Sequence, residues 1–423
     1  MKTIIVLFGI TGDLSQRKLV PALESIHLHI PHPFELIGIS RRDVSPDDVV
    51  GKDSNIRDAT SIVTMDLADQ EDYKRLWQER VEGQDARVLV YLAVPPHNME
   101  LIVTNLSRAG FGAPNVQVLI EKPFGFDEQS SQKLFGMVES FFDEERLYFV
   151  DHYLGKRVAR AIVDFRRKTS ILAQMWNKSS IERIDVIAAE SLSVEGRTAF
   201  YEQTGALRDF LQGHLMQLLS MIVGSTFDAD VPLALAKSRA LGYLSAAPTD
   251  SVRGQYNGYR AEASNPDSQA ETFAELTLFS SDPAWQGIPM RIVTGKNLES
   301  KQTSVTVYFR QTEQHSAGKL SFDIQPEIGV TAEFDSHDGL GGQLVDAADC
   351  YTIDDKAWNG YEAILVDALD ENRTFFATEA EIIASWRAID GVLKAWATGV
   401  PKLVEYQPGD SVETVLGRAK RLE

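Results

Sequence analysis

The chain has 423 residues, of which 43% are hydrophobic and 24% charged, and its formal net charge is −19. That length exceeds what one hydrophobic core usually holds, so two domains are expected, and the acidic balance argues against nucleic-acid or anionic-membrane partners, which require basic surface. A single cysteine, Cys350, excludes an intrachain disulfide, and no apolar run approaches the roughly 20 residues that span a bilayer, so a cytoplasmic protein is expected.

Ile4 to Phe8 is a continuous β-branched and apolar run, as in a strand buried on both faces of a parallel sheet. Gly9-Ile10-Thr11-Gly12-Asp13-Leu14 follows as a glycine turn, and Leu19, Leu23, Ile26 and Ile30 recur at helical spacing, with Pro21 near the start. Strand, glycine turn and helix form a phosphate cradle. Gly9 can take backbone angles closed to other residues, Gly12 admits a pyrophosphate, and the helix start offers N–H donors. The next strand, Phe34 to Ser40, ends in Arg41-Arg42 where NAD-binding units commonly place an acid. Two guanidiniums favour a 2′-phosphate, so NADP is expected, with NAD the weaker alternative.

Further strands at Ile62–Met65, Val88–Ala93 and Val116–Ile120 alternate with helices from Asp69 and Asn98, which predicts a doubly wound sheet. Pro95 and Pro96 stop one strand, and Glu121-Lys122-Pro123-Phe124-Gly125 ends another, placing Lys122 at the same edge as the glycine turn. Leu147–Val150 then runs into Asp151-His152-Tyr153-Leu154-Gly155-Lys156, a set able to bind an anion and orient a base. The helical run from Thr204 puts residues 207, 211, 215, 218 and 222 on one apolar stripe with His214 at its edge. Asp209 and His214 are five residues apart, about 140° on a straight α-helix, so they are not expected to share a face. Either the substrate lies between the flanks, or Asp209 precedes the regular helix. Alternating runs within 269–279, 290–294, 304–310, 320–324 and 330–334 predict a large, mostly antiparallel sheet. The fold expected is an α/β, Rossmann-like domain over residues 1–150, followed by an α+β domain over 151–423.

In order along the chain, Gly9–Leu14, Glu121–Gly125, Asp151–Lys156 and Gly205–Gln217 resemble the motifs of the glucose-6-phosphate dehydrogenase family. The likeness continues through Gly254-Gln255-Tyr256, Trp285–Pro289, Thr294-Gly295-Lys296 and Tyr361-Glu362. The resemblance implies oxidation of glucose 6-phosphate at C1 to 6-phosphogluconolactone with NADP and no metal. It gives His214 the part of general base and Asp151 that of the carboxylate supporting it. His152, Tyr153 and Lys156 would hold the substrate phosphate, with Lys301 assisting. Glu190 and Asp209 would bind sugar hydroxyls, Lys296 would approach the sugar, and Lys122 would sit between sugar and cofactor. Gly9, Thr11, Gly12, Asp13, Leu14, Arg41, Arg42, Pro95, Glu121 and Lys122 would contact the cofactor. The family's large sheet implies a homodimer or homotetramer. Phe149 stands where the family usually has Arg, Gly213 where it has Asn, Thr11 where Ser is common, and Lys301 where some members have Arg. These departures leave two alternatives: a related sugar or sugar-phosphate dehydrogenase with a shifted substrate, or a non-catalytic sugar-phosphate-binding homologue. The shorter chain implies a trimmed periphery and no additional structural nucleotide site.

Overall fold

The computed structural model describes residues 2–30, 34–168, 175–224, 231–311, 317–334, 353 and 357–421; Cys350 lies outside them. The chain forms two compact units. The first comprises Met1–Gly125, Gln129–Gly155 and Trp358–Glu379, and the second Phe126–Glu128, Lys156–Ala357 and Ala380–Glu423.

The first unit contains six strands: β1 (Lys2–Phe8), β2 (Phe34–Ser40), β3 (Thr60–Thr64), β4 (Ala86–Leu92), β5 (Val116–Glu121) and β6 (Leu147–Val150). They pair in the order β3-β2-β1-β4-β5-β6, every pair parallel. This is the doubly wound order of dinucleotide-binding folds, with its switch point between β1 and β4. The expected helix after the glycine turn opens instead with a π-turn, Ser15–Leu19, before the α-helix Val20–His29, and Pro21 sits at the first turn of that α-helix. Proline lacks an N–H to give there, so the wider turn ahead of it loses no hydrogen bond.

A single cut after residue 150 does not describe the first unit. The helix Tyr361–Leu369 belongs to it because Ile364, Leu365, Ala368 and Leu369 join Ile5, Leu7, Leu89 and Tyr91 in one buried cluster.

The second unit is built on β7 (Ile181–Ala189), β8 (Leu244–Tyr256), β9 (Phe273–Ser280), β10 (Met290–Gly295), β11 (Gln302–Phe309), β12 (Gly318–Gln325), β13 (Gly329–Phe334) and β14 (Val404–Tyr406). Their order is β13-β12-β11-β7-β10-β9-β8-β14, with β7–β10 and β8–β14 parallel and the other pairs antiparallel. Strands β8 and β14 were not expected. Strand β8 carries Pro248 and an irregularity between Ala246 and Ser251, and β14 is three residues long. Among the described residues no helix is long and apolar enough to cross a membrane.

On one face of this sheet Ile184, Val186, Ile292 and Leu276 are fully buried. On the other, Asp185, Arg291 and Thr277 stand side by side on β7, β10 and β9. Glu275, on the same face of β9, has its carboxyl pushed up to about 7 by burial, against the pull of Arg291. Elsewhere Lys237 and Glu381 form a fully buried ion pair at 2.9 Å, and Gln217 bonds both partners.

Two stability outcomes are expected. Lys237→Met leaves Glu381 buried without its counter-charge and should cost about 3–5 kcal/mol in urea unfolding, whereas Lys237→Met with Glu381→Leu should recover most of it. Equal losses in single and double variants would contradict this. For Glu275, a folded-state pKa raised from 4.5 to about 7 gives stability that is complete below 4.5 and lost as pH rises through 7. The wild type should therefore lose up to about 3 kcal/mol more than Glu275→Gln between pH 5 and 8; parallel stability curves would refute it.

Candidate active site

In the first unit the glycine turn closes tightly. Gly12 donates to the Gly9 carbonyl at 2.8 Å, Ser15 Oγ donates to the same carbonyl at 2.9 Å, and Gln16 Nε2 donates to Ile10 O at 2.9 Å. Gly9 has φ +80°, and a Cβ there would lie 2.3 Å from the Ala93 carbonyl at the end of β4, so only glycine permits this approach. Thr11 and Leu14 are half-buried, while Asp13 is exposed and paired with Arg17 at 2.8 Å. Arg41 and Arg42 are exposed directly after β2, where the Ser40 hydroxyl exchanges bonds with the Arg42 main chain at 2.8 and 3.0 Å. Pro95 is exposed and leads a short 3₁₀ turn past β4. A narrow glycine turn at the carboxyl edge of β1, with cations after β2, fits the pyrophosphate and ribose ends of a nicotinamide dinucleotide.

At the end of β5, Glu121 is buried and accepts a hydrogen bond from the Tyr91 hydroxyl. Burial pushes its carboxyl up to about 7, Tyr91 opposes that, and the Asp151 charge adds to it. The following Lys122–Pro123 peptide is cis, and Lys122 is half-buried. Asp151, 2% exposed, accepts the Tyr153 N–H at 2.9 Å in a turn closed by Leu154 N–H to the Asp151 carbonyl at 3.0 Å. His152 stacks on Tyr361 with centroids 5.1 Å apart and planes at 12°, and meets the Tyr153 ring edge-on at 5.1 Å. Phe149 is buried edge-on against Phe124 and Phe135, at 5.5 and 4.9 Å. In place of the family's arginine, it fills a core.

In the second unit the α-helix Thr198–Ala206 breaks at Gly205, and the run Leu207–Leu215 after it is a π-helix. This corrects the expected angle between Asp209 and His214. A π-helix bonds i→i+5, so residues five apart stand one turn apart and on nearly one face. Leu207, Leu211 and Leu215 are fully buried on the side packed against β7, β9 and β10. His214 is 6% exposed, edge-on to Phe210 at 5.0 Å. Asp209 lies 3.5 Å from the Arg197 guanidinium. Lys156 is half-buried just ahead of the helix Arg157–Lys168.

Glu190 and Lys296, expected as separate sugar contacts, form an ion pair with each other, and the Glu190 N–H bonds the Gly295 carbonyl at 2.9 Å. Tyr201 is buried, and its phenol is held far above its ordinary range by burial and by the charges of Asp209 and Glu190. Lys301 is exposed, immediately before β11. Arg197, Tyr201 and Tyr361 escaped a role in the sequence reading. Only the Tyr361-Glu362 segment carried any signal, through its place in the family pattern; the other two lie in a stretch with neither clear alternation nor a charge cluster.

Residues 6–160 match the model of the glucose-6-phosphate dehydrogenase NAD binding domain, and residues 163–414 that of the glucose-6-phosphate dehydrogenase C-terminal domain. The glucose-6-phosphate 1-dehydrogenase of Streptococcus pneumoniae is 30% identical over 96% of this chain and 93% of its own, and that of Rhizobium meliloti is 29% identical over 93% and 91%. The crystal structure of the Mycobacterium avium glucose-6-phosphate 1-dehydrogenase matches with a TM-score of 0.85 at 27% identity, over 96% of this chain and 94% of that one. A glucose-6-phosphate dehydrogenase solved with its substrate glucose 6-phosphate has the same fold, with a TM-score of 0.85 at 23% identity over 99% and 97%. With both halves matched and the glycine cradle in place for a nicotinamide cofactor, the chain belongs to the glucose-6-phosphate dehydrogenase family.

Proposed function

We propose that the chain oxidises the C1 hydroxyl of glucose 6-phosphate to 6-phosphogluconolactone, with NADP as its cofactor. The observation that carries this reading is the π-helix, whose i→i+5 repeat turns Asp209 and His214 toward a common side. A base and a hydroxyl acceptor on one face suit a sugar whose C1 proton must leave while its other hydroxyls are held.

His214 takes the C1 hydroxyl proton, and the Asp151 carboxylate supports the imidazolium as it forms. Bound NADP supplies the nicotinamide carbon that accepts the hydride. Asp209 and Glu190 accept hydrogen bonds from the sugar hydroxyls, with the Lys296 ammonium paired to Glu190. His152, Tyr153 and Lys156 hold the phosphate, with Lys301 contributing charge. Stacking on Tyr361 fixes the His152 ring, so less rotamer freedom is lost when the phosphate binds. The exposed Arg41 and Arg42 take the 2′-phosphate of NADP, with Gly9, Thr11, Gly12, Asp13 and Leu14 around the pyrophosphate and Pro95, Glu121 and Lys122 nearer the nicotinamide.

His214→Asn should lower kcat by about 10²–10⁴-fold with little change in the Michaelis constant for glucose 6-phosphate. Near-wild-type turnover, read at the reduced-nicotinamide absorbance, would remove His214 as the base. The same assay with galactose 6-phosphate and free glucose tests the sugar, and a preference for either would overturn the substrate. Arg41→Ala should raise the Michaelis constant for NADP much more than that for NAD, because the lost ion pair involves a phosphate only NADP carries. Equal increases would defeat the 2′-phosphate assignment.

A further inference from the structure

The turn that admits the chain to the π-helix is built around one carboxylate. Glu271, on the loop just ahead of β9, is 7% exposed and takes two successive N–H groups of that turn. Ala206 donates to its main-chain carbonyl at 2.8 Å, and Leu207 donates to its Oε1 at 3.1 Å. Gly205 supplies the room, since its φ is +61° and a Cβ there would lie 2.1 Å from Oε1 and 2.5 Å from Oε2. Burial pushes the carboxyl up to about 7, opposed by the Leu207 N–H and by the Arg208 and Arg253 charges. Both guanidiniums are anchored: Arg208 donates to the Phe126 carbonyl at 2.9 Å, and Arg253 to those of Pro401 and Trp396 at 2.7 and 3.1 Å.

The neighbouring residue fixes a second element of the site. The Thr272 carbonyl accepts the Lys296 N–H at 2.9 Å. The Tyr406 hydroxyl, 2.9 Å from Thr272 Oγ1, donates to the Lys296 carbonyl at 2.6 Å. One dipeptide thus holds the start of the π-helix and the main chain of Lys296.

We propose that Glu271 is a positioning residue for the sugar side of the site: its side-chain acceptor sets where the π-helix begins, and with it the placement of Asp209 and His214. The inference rests on the roles proposed above for those two residues. The first N–H groups of a helix need acceptors outside it, and the acceptor chosen fixes the register of the turns beyond it. A small misplacement of a base can cost about 10²-fold in rate.

The test compares Glu271→Gln, which keeps an oxygen acceptor, with Glu271→Met, which has similar length and no acceptor oxygen, in the full-length enzyme. Neither opens a large cavity, and both remove a buried charge. Glu271→Met should lower kcat/KM for glucose 6-phosphate by about 10²-fold and leave the Michaelis constant for NADP within about twofold, because the glycine cradle lies in the other unit. Glu271→Gln should recover to within about tenfold of wild type. Equal damage in the two variants, or an equal loss toward NADP in Glu271→Met, overturns the inference. His214→Asn, assayed beside them, separates the two ideas. If it stays active, the base assignment fails; if it is inactive while both Glu271 variants behave as wild type, only the role of Glu271 fails.

Discussion

A π-helix of nine residues is a costly thing to keep, and the second unit is arranged around keeping it. Its wider turn bonds less favourably than an α-helix, which is why most π segments are single turns. Burial offsets part of the cost, since Leu207, Leu211 and Leu215 are fully buried and each contributes about 1.5–3 kcal/mol. Polar ties supply the register that apolar packing alone does not specify. At the entrance stand Glu271 and the glycine it requires at 205. Further along, Gln212 donates to Ser385 at 2.8 Å, and in the next helix Gln217 joins the Lys237–Glu381 pair. These bonds reach one long helix, Glu379–Ala397, which thus ties the later part of the segment carrying His214 and the helix after it.

Much of this was legible in the chain. The parallel strands of the first unit were readable because their signals are local: apolar runs for buried strands and glycines where β1 turns into its helix. The apolar stripe through Leu207, Leu211 and Leu215 was readable for the same reason. What was not legible is the i→i+5 bonding of that stripe. Apolar residues four apart suit either kind of helix, and the contact at the start of this one, Leu207 N–H to Glu271, comes from 64 residues further along the chain. The Glu190–Lys296 pair was hidden for a related reason, because it depends on β7 and β10 lying side by side and parallel, with Ala189 opposite Gly295.

The boundary of the first unit makes the same point from the opposite end of the chain. The expected division put everything after residue 150 in the second domain, yet the segment 358–379 grips Asp151–Gly155 within the first unit. Ahead of it, the Ala377 N–H bonds the Phe149 carbonyl at 3.0 Å. In its middle, Tyr361 stacks on His152. Behind it, Gly360 donates to the Gly155 carbonyl at 2.9 Å, and a Cβ on Gly155 would lie 2.2 Å from Gly360 O. This three-point grip gives the Phe149 substitution its meaning. An arginine on this buried strand would need a counter-charge to offset its desolvation, whereas phenylalanine between Phe124 and Phe135 anchors the strand by packing and leaves its carbonyl for Ala377. The platform for the side chains proposed to hold the phosphate is therefore set by an aromatic core and main-chain bonds.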